Sequence, residues 1–172
     1  MHELADAFGL MQSAVMTPRR ATDPALWPPM LALLREAFAF MEGRIDPPSS
    51  LRDLSPEMLA AQARTGEIWI IEAGNAGIAA CIVLTPKPDA LYLGKLAVAA
   101  PFRGKGLAQL LIDRAAFRAR AMGLPMLELQ TRVELVENQA AFLAMGFHEV
   151  ARTAHPGFDR PTSITYRRAV VG

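Results

Sequence analysis

The chain has 172 residues, of which 52% are hydrophobic and 20% charged, which is enough apolar material for a packed core and too much for a disordered segment. Its formal net charge is +1, with Lys and Arg spread along the chain, so no global field recruits nucleic acid or a membrane surface. The single cysteine, Cys81, excludes an internal disulfide, and three histidines beside it make a poor metal set, so no metal is expected and a reducing cytoplasm fits best.

Residues 1–15 put Glu3 and Asp6 where a secretory leader needs basic residues, and Gly9, Gln12 and Ser13 break the apolar run. They read as a flexible N-terminal arm in which Leu4, Ala7, Phe8 and Met11 have helical spacing, ahead of a single domain over residues 16–172. No apolar run reaches the roughly 18 residues of a membrane span. Ala14 to Arg20 is expected as a first strand. From Met30, apolar residues at Leu31, Leu34, Phe38 and Met41 predict a helix with one buried face, and Pro28-Pro29 fit only its first turn. Gly43 to Ser50, with Pro47-Pro48, must be a loop, and Ser55-Pro56 starts a second helix that runs to Gly66.

Strand-like runs follow. Ile68 to Ala73 and Ile78 to Thr85 flank the turn Gly74–Gly77, and Leu91 to Val98 reads as a central strand. Gly104 to Met122 is the clearest helix, with Ala108, Leu111, Ile112, Ala115, Ala119 and Met122 on one face and Gly123 closing it. Met126 to Thr131 is a strand, Leu135 to Met145 a short helix, and Phe147 to Arg152 and Ser163 to Arg168 are final strands around the loop Ala154 to Pro161. Hairpins together with crossover helices predict a mixed α/β fold with helices on both faces of one mixed sheet.

The chemistry concentrates in Leu96 to Ala108, where a strand ends and a helix starts among glycines. A helix N-terminus exposes N–H groups without intrahelical partners, and the peptide dipoles add roughly half a positive charge there. Gly104 and Gly106 let a phosphate approach the backbone, and Arg103 and Lys105 add charge beside it. The alternative is an ordinary turn and helix start, with Lys105 a solvated charge. The P-loop pattern is absent, and the dinucleotide fingerprint fails because Gln109 stands where its third Gly or Ala belongs.

The remaining Arg-x-x-Gly-x-Ala pattern (Arg103, Gly106, Ala108) resembles the signature of the GNAT superfamily of acyl-CoA-dependent N-acetyltransferases. Glu137 to Phe147, a helix ending in Gly146-Phe147, resembles a second landmark of that family. The resemblance implies a mostly antiparallel sheet of about six to seven strands with a splayed central pair. It implies acetyl-CoA as co-substrate, with pantetheine along Leu96, Ala97 and Val98, pyrophosphate on the N–H groups of Arg103, Gly104, Lys105, Gly106, Leu107 and Ala108, and Asn138 near the far end of the cofactor. An amine would attack the thioester directly, with a backbone N–H of Leu96 to Val98 polarising the carbonyl. The position that often carries a tyrosine general acid holds Phe142, and Asn138 lies about one turn closer to Gly146 than the family pattern leads one to expect.

Tyr92 is a candidate proton relay or pocket wall, against a packed tyrosine with a surface hydroxyl. Glu128, between apolar neighbours, is a candidate base with a raised pKa, against simple alternation onto a solvated face. His155 and Asp159 in the last loop, and Arg44 and Asp46 in the loop after the first helix, are candidate acceptor contacts, against polar loop residues. Cys81 reads as core. The expected activity is acetyl transfer to a small-molecule amine. The rival readings are transfer to a protein N-terminus or lysine, and an acyl-CoA-binding module without catalysis. Nucleic acid and membrane partners are not expected, and the resemblance leaves room for a homodimer.

Overall fold

The computed structural model describes residues 16–170, so the expected N-terminal arm lies outside the described residues. A seven-stranded sheet organises the chain. Its strands are β1 (Arg19–Arg20), β2 (Glu67–Glu72), β3 (Ile78–Pro86), β4 (Ala90–Val98), β5 (Met126–Arg132), β6 (His148–Thr153) and β7 (Ser163–Ala169). The helices are α1 (Trp27–Phe38), α2 (Pro56–Thr65), α3 (Leu107–Met122) and α4 (Val136–Ala144). The sheet order is β1-β2-β3-β4-β5-β7-β6, antiparallel throughout except for the β4–β5 pair. Among the described residues, no helix is long and apolar enough to cross a membrane.

Strand alternation divides the core between the two faces. Ile68, Ile70, Cys81 and Val83 pack beneath α1 and α2, whereas Ile71, Ala80, Ile82, Leu84, Leu91 and Leu93 pack beneath α3. Each helix supplies the expected stripe: Met30, Leu31 and Leu34 from α1, and Leu111, Ile112, Ala115 and Ala119 from α3. Cys81 is fully buried and its thiol is pushed up to about 12 by desolvation, as a core residue should be.

The departures from expectation are local. The first strand is only Arg19–Arg20, held on β2, while α1 starts at Trp27 and gives way to a 3₁₀ turn, Ala39–Met41. The second helix starts where the capping serine predicts, with the Ser55 hydroxyl accepting from the Met58 N–H at 3.3 Å. The third helix begins at Leu107 rather than Gly104, because Gly104 and Gly106 have φ of 75° and 79°, outside the helical region.

The loop between α1 and α2 is pinned to the far half of the sheet. Arg44 forms a two-pronged ion pair with Glu137 of α4 at 2.6 and 3.0 Å, and the Asp46 N–H donates to Glu134 at 3.1 Å. Arg160, in the β6–β7 connection, stands 3.6 Å from the Asp46 carboxylate.

Candidate active site

β4 and β5 pair only from Ala90–Met126 to Tyr92–Glu128. Beyond that point β4 keeps its ladder with β3 as far as Val98, and β5 keeps its ladder with β7 as far as Arg132. The inner edges of Leu93–Val98 and Leu129–Arg132 therefore face each other unpaired across a wedge. Backbone N–H and C=O groups on such an edge demand partners. A cleft of about 570 Å³ occupies the wedge. It is walled by Tyr92 to Val98 and Arg103 on one side, by Leu129 to Arg132, Asn138 and Phe142 on the other, and by Phe38, Phe40, Ser49 and Leu51 above.

A bulge shapes the β4 wall. Cys81 pairs with Ala97 and Val83 with Gly94, so Lys95 and Leu96 together oppose Ile82. Lys95 takes up the distortion with φ of 52°, the only non-glycine at positive φ among the described residues. The extra residue reverses which side chains face which helix. Leu91 and Leu93 pack beneath α3 before the bulge, and Leu96 and Val98 do so after it, while Ala97 turns towards α1. Sequence reasoning missed the bulge, although the three-residue step from Leu93 to Leu96, beside Gly94, signals it.

The strand leads into the glycine-containing turn before α3. A 3₁₀ turn (Ala100–Phe102) precedes Arg103, whose Nε donates to the Val98 carbonyl at 3.2 Å. The N-cap of α3 is Gly106, which has no side chain to satisfy the first turn. The first intrahelical bond is Leu110 N–H to Gly106 C=O at 3.1 Å, so the N–H groups of Leu107, Ala108 and Gln109 precede it without intrahelical partners. Lys105 stands over the Phe102 ring, 5.7 Å from its centroid. Three donors and a helix dipole lie just beyond the free edge of β4, with Arg103 and Lys105 in the turn before them. That donor set fits a pyrophosphate joined to an extended, hydrogen-bonding arm.

On the opposite wall, Asn138 Nδ2 reaches Thr131 Oγ1 at 3.5 Å and lines the cleft. Phe142 lines it too, packed against Phe147 and Tyr166 with ring centroids 6.2 and 6.1 Å away. Tyr92 sits where the wedge opens. Burial, and then the charge of Glu128, raise its pKa, so its phenol stays protonated at neutral pH. His155 lines the cleft, with its ring nitrogen Nδ1 bonded to Thr162 Oγ1.

Four of the expected residues, Glu128, Arg44, Asp46 and Asp159, are not part of the cleft wall. Glu128 is buried at 5% exposure. Its carboxylate binds Lys87 at 2.6 Å and Arg167 at 2.7 Å, and Arg167 also binds Asp89 at 2.8 Å. Desolvation pushes its pKa up, but the Lys87 and Arg167 hydrogen bonds outweigh it and the net shift is downward. The raised pKa expected of a base is therefore absent. Arg44 is committed to Glu137 and to the Phe40 ring at 5.6 Å, so it clamps the loop rather than lining the cleft. Asp159 is exposed on its loop. Among the described residues no cluster of metal-ligating side chains occurs.

The profile of the acetyltransferase (GNAT) family matches residues 27–147. The chain belongs to that family and is an acyl-CoA-dependent acetyltransferase by class. Among solved structures, a GNAT-family acetyltransferase from Staphylococcus aureus superposes with a TM-score of 0.70 at 15% identity, covering 90% of this chain and 100% of that one. The ribosomal-protein-S18-alanine N-acetyltransferase of Escherichia coli gives 0.62 at 18% identity, over 90% and 94% of the two chains. A GNAT acetyltransferase from Elizabethkingia anophelis, solved with acetyl-CoA bound, gives 0.60 at 18% identity, over 89% and 97%. At these identities the likeness is one of fold. A comparison with curated proteins finds no match.

Proposed function

We propose that this protein transfers the acetyl group of acetyl-CoA directly to the primary amine of a small molecule. The observation that carries the reading is the unpaired inner edge of β4 running into the uncapped N-terminus of α3. An extended arm on that edge and a pyrophosphate on the N–H groups after Gly106 would satisfy both at once. Leu96, Ala97 and Val98 are the proposed strand partners, Arg103 to Ala108 the proposed phosphate loop, and Asn138 a contact on the opposite wall.

Acetyl-CoA supplies an activated carbonyl whose leaving group is a thiol with a pKa of about 8.5. The amine nitrogen forms the new bond to the carbonyl carbon as the carbon–sulfur bond breaks. A proton must leave the incoming ammonium, and one must reach the departing thiolate. Phe142 has no proton to give, so we assign the second task to Tyr92, a phenol on the cleft wall that is protonated at neutral pH. A backbone N–H on the unpaired edge of β4 beside the bulge is suited to polarise the carbonyl. The lone buried thiol and a net charge of +1 support a cytoplasmic enzyme without nucleic-acid partners.

Calorimetric titration with acetyl-CoA tests the reading. Wild type should bind, and Arg103→Ala/Gly106→Val should lose binding while retaining a cooperative thermal transition. Thiol release with an amine panel then reports transfer. Absence of binding by wild type would remove the proposal.

A further inference from the structure

Arg132 ends β5 on the face of the sheet opposite Leu127 and Leu129, which pack beneath α3. Glu128, Gln130 and Arg132 therefore share the α1 side. The first two are satisfied there: Glu128 by Lys87 and Arg167, and Gln130 by the Thr165 hydroxyl at 3.1 Å. Arg132 differs. Its Nη2 reaches the Pro48 carbonyl only at 3.4 Å, and its Nη1 is buried without a partner. Among the described residues it forms no ion pair. Glu134 and Asp46 lie close enough to influence it but not to pair with it.

A guanidinium cannot shed its charge, and Glu134 and Asp46, beyond ion-pair distance, compensate this one only in part. Its neighbours form a small pocket of Ser49, Ser50, Arg52, Asp53 and His155. Arg52 likewise has no ion pair among the described residues. Within the pocket wall two guanidiniums face Asp53, while Glu134 and Asp46 act on Arg132 from outside it. The Ser49 hydroxyl accepts from the Leu51 N–H at 3.2 Å, which leaves its own proton to donate. Ser49, Ser50, Arg132 and His155 also wall the main cleft, so the pocket opens into it on the side of the α1–α2 loop.

We propose that this pocket holds an anionic group of the acceptor, with Arg132 as its principal counter-ion and Arg52 and the two serine hydroxyls completing the cradle. The acceptor is then an amine that also carries an acid, such as an amino acid, with its amine directed at the β4 wall. A guanidinium fork matches a carboxylate or a phosphonate. This inference rests on the acetyltransferase reading.

The test is titration of the CoA-saturated protein with glycine, β-alanine and γ-aminobutyrate, with the three matching amides, and with aminomethylphosphonate. At least one acid should bind about tenfold or more tighter than its uncharged counterpart, the size expected for hydrogen bonds to a charged group. Tighter binding of the carboxylates or of the phosphonate identifies the group. Arg132→Gln should close the gap and Arg52→Gln should narrow it, while CoA titration of both variants confirms that they are folded. Should Arg132→Gln not fold, Arg132→Lys serves, since it keeps the charge and loses the fork. Amides that bind as tightly as the acids, or a gap that survives both variants, would overturn the proposal. A wild type that fails to bind CoA would strike the acetyltransferase reading instead, and the same series without CoA would still test the pocket.

Discussion

The two ends of the β4–β5 pair use polar groups in opposite ways. At the closed end the ladder is made and the side chains are matched: Glu128 lies between Lys87 and Arg167, and Arg167 continues to Asp89. At the open end the inner backbone edges are unpaired, the first turn of α3 has no cap, and Arg132 lacks a carboxylate. Buried or half-buried polar groups are costly when unmatched. The closed end answers that cost within the chain. The open end leaves it for a ligand to answer, and there the functional residues should be found.

The contrast is broken most severely at Gly106. Its φ of 79° suits glycine, and a valine would force the turn to rearrange and displace the N–H groups behind it. Gly106→Val should weaken acetyl-CoA binding by about a hundredfold or more, the loss of two or so charge-assisted hydrogen bonds. Calorimetry measures it, and the unfolding midpoint should move little by comparison. Full-strength binding would mean that the α3 N-terminus is not the phosphate site.

At the closed end the same kind of change should act on stability instead. Glu128→Gln leaves Lys87 and Arg167 facing a neutral amide, at a cost of about 2 kcal/mol given that both cations are partly solvated. Denaturant unfolding reads this directly, while kcat should persist. A collapse of kcat with unchanged stability would return Glu128 to the role of base. The pH dependence carries a sign. The folded pKa of Glu128 lies below its unfolded value, so its contribution is full above roughly pH 4.3 and fades as the pH falls through the folded pKa. Glu67, held by Arg118 at 2.7 and 2.8 Å, is shifted in the same direction and acts over the same range. Glu128→Gln should therefore flatten, but not abolish, the acid limb of the stability curve.

Tyr92 stands at the junction of the two regimes, with Lys87 4.6 Å above its ring and the cleft beside it. If its phenol protonates the thiolate, Tyr92→Phe should lower kcat by about a hundredfold, the lower range for a general acid, while acetyl-CoA affinity holds. An unchanged kcat would assign it to the closed end as packing.

Most of the fold was legible because the helices follow apolar periods and the central strands are short apolar runs bounded by turn residues. The stripe from Leu111 to Ala119 and the short apolar runs of Ile68 to Ala73 and Ile78 to Thr85 mark a helix and two strands buried on both faces. The glycine-bounded start of α3, the proposed phosphate loop, was visible for a different reason. Glycines before a helix with no capping side chain form a local pattern. What escaped depends on contacts distant in sequence. Glu128 looked like a carboxylate stranded among apolar residues, and only the arrival of Lys87 and Arg167, 41 and 39 residues away, lowers its pKa. Arg44 looked available until Glu137, 93 residues on, was found to hold it. Arg132 drew no notice, since nothing in its own stretch shows that its partner is missing.

The smallest predicted effect concerns the bulge that separates the two ends. Lys95 occupies a left-handed conformation that costs a non-glycine residue about 1–2 kcal/mol. Half-burial adds to this by lowering its ammonium pKa. Lys95→Gly would relieve both, but glycine also gains freedom in the unfolded chain, worth about 0.4–1 kcal/mol in the opposite sense. The balance should be a stabilisation of about 0.5 kcal/mol, within reach of careful denaturant titration. Lys95→Val should act in the other direction by about 1–2 kcal/mol, since a β-branched residue tolerates positive φ worst. If the bulge exists to aim a backbone N–H into the cleft, Lys95→Gly should keep that geometry and its turnover, while Lys95→Val should lose turnover more steeply than stability. Equal losses in both quantities would make the bulge a packing device that only restores the register of Leu96 and Val98 beneath α3.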